Sequence, residues 1–111
     1  MMAQRIDGDT NLATVRADLA ARIAALDDRA PHVAARDLAR DVDAIRLIAH
    51  RNGLAPAVTV AHFLDSALSR GEHGALVHSW LGILGDAVAC ERQDVAACDA
   101  FAAACSVRLA H

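Results

Sequence analysis

Apolar residues recur every three or four positions through almost the whole chain, and no segment alternates with a period of two. In the first long segment this spacing places five side chains on one helix face: Leu12, Val15, Leu19, Ile23 and Leu26. Hydrophobic residues make up 55% of the chain and aromatic residues only 3%, and much of the apolar content is alanine, the best helix former. The sequence therefore predicts an all-α protein.

Signals for helix starts and helix ends divide the chain into five predicted helices. Pro31 suits the first position of helix 2, Gly53 suits the position just after its end, and Asp94 suits the N-cap of helix 5. The predicted ranges are about 11–26, 31–52, 56–69 and 73–91, with a fifth helix after Asp94. The polar residues 1–9 are expected to form a flexible N-terminal tail.

The apolar faces and the short connections predict how these helices pack. Helix 3 is apolar over more than half of its circumference, so we expect it to be the most buried element. Helix 5 carries a narrow apolar stripe: Val95, Cys98, Phe101, Ala102, Cys105 and Leu109. Short loops favour antiparallel neighbours. We expect one domain over residues 1–111, an up-and-down antiparallel bundle of four long helices plus one short central helix.

Charge and cysteine content restrict the partners and the compartment. The net charge is −3, and the first 51 residues carry eight arginines balanced by eight aspartates, so no basic stripe is present to bind nucleic acid. The most apolar run, LAPAVTVAHFL, is too short to cross a bilayer. Three cysteines, an odd number, fit a reducing compartment. We expect a cytoplasmic protein without a nucleic-acid or membrane partner.

No catalytic or metal-binding motif is present. The six histidines, at positions 32, 50, 62, 73, 78 and 111, form no pair four residues apart, and there is no Cys-x-x-Cys. A nucleophile elbow and a phosphate-binding loop are also absent. We therefore predict no metal, no cofactor and no catalytic residue. Asp41 and Asp65 lie at the edges of apolar faces, where each is expected to pair with an Arg or His of a neighbouring helix.

The segment RGEHGALVHSWLGILGDAVACER places a histidine among small residues on one face of helix 4. His78 lies about 160° around the helix from Trp80, by the 100° turn per residue. The same side carries Ala75, Gly82, Gly85 and Ala89. Glycine in a helix interior costs about 1 kcal/mol relative to alanine, so two glycines on one face indicate a compensating contact.

Three interpretations of this face are open. A tightly packed helix, from helix 3, helix 5 or a second copy of the chain, would use the glycines for close approach. Alternatively, the face is a small-molecule groove. In the third interpretation His78 is exposed and the glycines make room for a partner protein to reach its imidazole.

The order HSWLG resembles the active helix of histidine phosphotransfer domains, which are helical bundles of similar length. In that family a phospho-accepting histidine is followed four residues later by glycine, as His78 is by Gly82. The resemblance covers five residues and implies that His78 is a phospho-acceptor. The residue before that glycine is usually lysine in the family and is Leu81 here. The family also has a full helical hairpin after the histidine helix, whereas only helix 5 follows here.

The sequence favours a non-enzymatic protein-interaction or regulatory module that self-associates as a homodimer or binds another protein. The predicted interaction face is Ala75, His78, Gly82, Gly85 and Ala89. The first alternative is a phosphotransfer-like signalling domain that uses His78, and the second is a helical bundle that binds a small molecule.

Overall fold

The computed structural model describes the backbone of residues 2–72 and 75–110 and the side chains of 11–72 and 75–109. Every regular element in these ranges is helical: α1 Met2–Arg29, a 3₁₀ turn Ala30–His32, α2 Ala35–Arg51, α3 Ala55–Ser69, α4 Ala75–Ala89 and α5 Val95–Ala110. The all-α prediction is confirmed. None of these helices combines the length and the hydropathy that crossing a bilayer requires.

The central helix is α3, which packs against α2, α4 and α5. It buries seven of its 15 residues, in agreement with its wide apolar arc. On the other side of the core, α1 packs against α4 and α2. The buried apolar core of the described residues is formed by Leu19, Ile23, Leu26, Ala30, Leu38, Val42, Ile45, Ala49, Leu54, Ala57, Val60, Ala61, Leu64, Ala67, Leu68, Val77, Trp80, Leu81, Leu84, Ala87, Val88 and Cys105.

Two glycines end helices by the same mechanism. Gly53 (φ 71°) and Gly71 (φ 87°) adopt the left-handed conformation that L side chains disfavour. After α2, the Gly53 N–H donates to the His50 carbonyl and the Leu54 N–H donates to Ala49, which is a Schellman motif. The same motif follows α3. There Glu72 takes the position equivalent to Leu54, and the Glu72 N–H donates to the Ala67 carbonyl. The predicted role of Gly53 is confirmed.

The predicted cap of α5 is also confirmed. The Asp94 side chain accepts a hydrogen bond from the Ala97 N–H at 2.8 Å. This backbone hydrogen bond, together with the Arg92 guanidinium, lowers the pKa of Asp94.

Several predicted boundaries differ from the structure. Pro31 lies in the 3₁₀ turn and does not begin α2, because Val33 and Ala34 are extended and interrupt the helix before Ala35. The backbone of α1 begins at Met2, nine residues before the predicted start. The mobility of the predicted tail, residues 1–9, stays a prediction. The start of helix 4 at His73 lies outside the described residues, and α4 ends at Ala89.

Relative lengths and faces also differ in part. At 15 residues, α3 is central and is as long as the described part of α4, so within the described residues it is not the one short helix. Although α4 and α5 are consecutive, α5 packs on α3 more extensively than on α4. Val95 was expected on the apolar stripe of α5 but is 75% exposed, and Ala97 is buried in the same first turn.

The two aspartates at the edges of apolar faces have the expected kind of partner. Asp41 accepts a hydrogen bond from Arg29 of α1 at 2.6 Å. Asp65 lies 3.9 Å from Arg46 of α2, and Arg46 is shared with Asp43 at 3.4 Å. Burial raises the pKa of Asp65 to about 7, the neighbouring Asp43 adds to the rise, and Arg46 opposes it.

We expect Asp65 to make stability depend on pH between about 4 and 7. Because its pKa is higher in the folded than in the unfolded state, the folded state holds the extra proton, and stability falls as pH rises through this range. Asp65→Asn should therefore raise the free energy of unfolding at pH 8 by about 1 kcal/mol, well below the full linkage value since the side chain is partly exposed, and much less at pH 4. Urea denaturation of both proteins at the two pH values measures this difference.

The matched control is Asp18→Asn, which removes an exposed pair with Arg22 within α1. Its effect should be a few tenths of a kcal/mol. An Asp65→Asn effect of equal size at pH 4 and pH 8 would contradict the account.

Candidate functional site

The five residues predicted as an interaction face lie together on the outer side of α4. We call Ala75, His78, Gly82, Gly85 and Ala89 the small-residue face. Gly85 is half-buried and the other four residues are exposed. The opposite side of α4 enters the core through Trp80, which is 1% exposed. The structure therefore brings the predicted residues onto one accessible surface.

The two glycines of this face have no neighbour in the described part of the chain. A Cβ atom built at Gly82 or at Gly85 has no heavy atom within 4 Å beyond the adjacent residues and the helix's own backbone. The interpretation that helix 3 or helix 5 of the same chain packs tightly on them is therefore wrong. The physical reason is that the broad apolar face containing Trp80, Leu81 and Leu84 occupies the core and turns the glycines outward. A second copy, a ligand or a partner protein remains as the possible contact.

His78 is exposed but is held by a carboxylate. Its Nδ1 lies 2.8 Å from each of the two carboxylate oxygens of Asp27, near the end of α1. The His78 side chain is 73% exposed. In the neutral imidazole, an Nδ1–H that donates to Asp27 leaves the lone pair on Nε2. Asp27 therefore fixes the ring and leaves Nε2 as the free nitrogen.

The surroundings of the His78–Asp27 pair are shallow and largely apolar. An open depression of about 470 Å³ is lined by Asp27, Ala30, Pro31, Ala75 and His78. The only titratable side chains among these lining residues are Asp27 and His78 themselves. The depression therefore provides a single hydrogen-bonded pair and not a converging set of acid and base groups.

Asp27 is not among the predicted site residues, although its position in α1 indicates that it needs a partner. Asp27 and Asp28 lie in the last turn of α1, where the helix dipole disfavours carboxylates. A carboxylate at that position is expected to have a cationic or hydrogen-bonding partner. The partner is 51 positions away, so the periodicity of neither helix identifies it.

A further polar residue beside the small-residue face, Asp86, has no hydrogen-bond or ion-pair partner among the described side chains. Asp86 is exposed one turn after Gly82. It makes no hydrogen bond or ion pair with any residue whose side chain the structure describes. This carboxylate is therefore available to a group outside the chain.

The side chains in the described ranges are not arranged for metal binding or for thiol chemistry. No three side chains of the His, Cys, Asp and Glu types converge there as metal ligands, and His73 and His111 lie outside these ranges. Cys90, Cys98 and Cys105 are free thiols. Burial raises the pKa of Cys105, which keeps it in the unreactive thiol form.

The chain matches no family model, and searches of curated proteins and of solved structures also find no match.

Substituting the exposed glycines should stabilise the isolated chain. Gly82→Ala and Gly85→Ala improve helix propensity where the added methyl group meets open space, so each should raise the free energy of unfolding by about 0.5–1 kcal/mol. Chemical denaturation at micromolar protein concentration measures the change.

Gly71→Ala is the matched control, because Gly71 needs its positive φ and also has open space around it. This variant should lose about 1 kcal/mol. If Gly82→Ala and Gly85→Ala destabilise the chain as Gly71→Ala does, the small-residue face is covered and the account is wrong.

Proposed function

We propose that the chain is a non-enzymatic protein-interaction module that uses the small-residue face of α4 to bind a second copy of itself. One observation carries the proposal. Gly82 and Gly85 each weaken α4 by about 1 kcal/mol relative to alanine, and no described residue of the chain uses the space that they leave. A helix from outside the chain that approaches closely would recover this cost.

The sequence of α4 supports a two-fold contact centred on Gly82. In an antiparallel pair of α4 helices, the residue four before Gly82 faces the residue four after it, so His78 faces Asp86 of the other copy. Ala75 and Ala89, seven residues before and after Gly82, face each other in the same way. Such a contact is self-complementary, as two-fold symmetry requires. It pairs the free carboxylate with a histidine and places small residues along the rest of the contact.

The size of the face indicates weak association. With 15 residues, α4 is about 22 Å long, and a contact one helix wide buries less surface than a standard stable interface. We expect a dissociation constant in the micromolar range or weaker. Association at this strength suits a regulated contact better than a permanent assembly.

We also propose that consecutive helices run antiparallel, in an up-and-down bundle, and that the protein acts in the cytoplasm. The three free thiols support a reducing compartment.

Gly82→Leu should abolish the dimer while leaving the monomer folded. The leucine side chain should separate the two α4 helices at their closest point, whereas in the monomer position 82 is exposed and a Cβ there has no neighbour within 4 Å. Sedimentation velocity over a range from about 10 µM to 1 mM should show concentration-dependent dimerisation of the original chain and a monomeric variant.

The control is Ala100→Leu, a bulky substitution at an exposed position of α5. It should dimerise as the original chain does. A chain that stays monomeric throughout this concentration range, or a Gly82→Leu variant that still dimerises, would overturn the proposal.

A second candidate function is phosphotransfer through His78. The observation that favours it is the exposed imidazole, whose Nδ1 faces Asp27 and whose Nε2 is free. In this reaction the Nε2 lone pair attacks the phosphorus atom of a phospho-donor, and the leaving group departs with the P–O bonding electrons. The carboxylate of Asp27 would stabilise the positive charge that develops on the ring. The spacing of His78 and Gly82, shared with histidine phosphotransfer domains, is consistent with this role.

Acetyl phosphate distinguishes the two functions. If His78 is a phospho-acceptor, ³¹P NMR should show an acid-labile phosphohistidine that is absent from His78→Gln. The Asp27→Asn variant should form this phosphohistidine at least about tenfold more slowly. His62 is an exposed histidine of α3, so His62→Gln is the matched control and should be phosphorylated normally. Equal labelling of His78→Gln and the original chain would exclude this candidate.

A further inference from the structure

A groove between α4 and α5 lies on the opposite side of α4 from the small-residue face. Its lining residues are Glu72, Leu76, Trp80, Ala104, Val107 and Arg108, and its volume is about 310 Å³. This size is at the lower end of the range for small-molecule pockets. We call it the α4–α5 groove.

The walls of the groove are apolar and exposed. Leu76 is 54% exposed on α4 and Val107 is 63% exposed on α5. They are two of the four large apolar side chains that are exposed in the described part of the chain. Ala104 is exposed between them. Two such side chains that face one groove can bury the apolar part of a ligand that enters the groove.

A carboxylate is held at one edge of the buried indole. The Schellman motif after α3 places Glu72 next to α4, and its Oε2 accepts a hydrogen bond from Trp80 Nε1 at 2.9 Å. This contact satisfies the indole N–H with one of the two carboxylate oxygens. No basic side chain of the described residues forms an ion pair with Glu72.

A cation lies over the face of the same indole. The Arg108 Cζ is 5.9 Å from the centroid of the Trp80 ring, within the range of a cation–π interaction. The guanidinium makes no hydrogen bond or ion pair with the described residues, and its buried Nε has no partner. Glu72 and Arg108 therefore line one groove with opposite charges that do not neutralise each other in an ion pair.

We propose that the α4–α5 groove binds a small amino carboxylate with an apolar chain between its two charged groups. The ligand ammonium group pairs with Glu72, its carboxylate pairs with Arg108, and its methylene chain packs between Leu76 and Val107. A simple carboxylic acid would leave Glu72 unpaired, and a simple amine would leave Arg108 unpaired. A molecule that carries both groups is the class that matches both ends of the groove.

The test uses the one tryptophan of the chain, whose indole N–H gives a single NMR signal and is hydrogen-bonded to Glu72. Titration with 6-aminohexanoate should shift this signal until the site is saturated. The dissociation constant should be on the order of 1 mM, as for other weakly bound ligands of this size. Hexanoate and hexylamine, which each lack one charged group, should bind at least about fivefold more weakly.

Arg108→Gln and Glu72→Gln remove one charge each, and Gln at position 72 keeps an oxygen that can accept the indole hydrogen bond. Both variants should weaken 6-aminohexanoate binding at least about fivefold, while Arg36→Gln, at an exposed position of α2, should bind as the original chain does. A dispersed indole signal in each variant shows that the core around Trp80 is intact. The proposal is overturned if 6-aminohexanoate produces no saturable shift, if hexanoate binds equally well, or if Arg108→Gln binds without loss.

Discussion

The burial of α3 between three other helices is the constraint on which the rest of the structure depends. This helix has apolar residues around more than half of its circumference, and α2, α4 and α5 each cover a part of it. Because the core contains few aromatic side chains, it is filled largely by Leu, Val, Ile and Ala. Leu64 of α3 is fully buried in this core, so truncating it would leave a cavity among closely packed side chains.

The orientation of α4 follows from this core and determines which groups are accessible. Trp80 and its neighbours are buried in the core that α4 shares with α3 and α1, so the small-residue face on the opposite side of α4 turns outward. Asp27 of α1 then meets His78 at one end of that face. On the other side of α4, Glu72 and Arg108 are arranged around the same tryptophan. The two proposed surfaces are therefore consequences of one packing arrangement, although they are separate and each is proposed to bind a different kind of partner.

Features that depend on residues close together in the sequence could be predicted from it. Contacts between residues that are distant in the sequence could not. Gly53 and Asp94 act through backbone groups a few positions away, so their roles were predictable. Pro31 fits either a 3₁₀ turn or the start of an α-helix, and the choice depends on the extended residues that follow it. The periodicity of α5 included Val95, but at the first helical position this side chain points away from the neighbouring helices. Asp27–His78 and the α4–α5 groove depend on tertiary packing, which periodicity alone does not specify.

The most direct test of the proposed contact between two α4 helices is disulfide cross-linking through Gly82→Cys in a Cys90→Ser/Cys98→Ser background. Cys105 can remain because it is 0% exposed. In the proposed two-fold contact, residue 82 meets its own copy, within the Cα–Cα distance of about 4–7 Å that a disulfide needs. Under mild oxidation we expect rapid formation of a covalent dimer linked through residue 82. The control variant Ala100→Cys in the same background should form a covalent dimer much more slowly. Equal rates for the two variants would contradict a contact centred on α4.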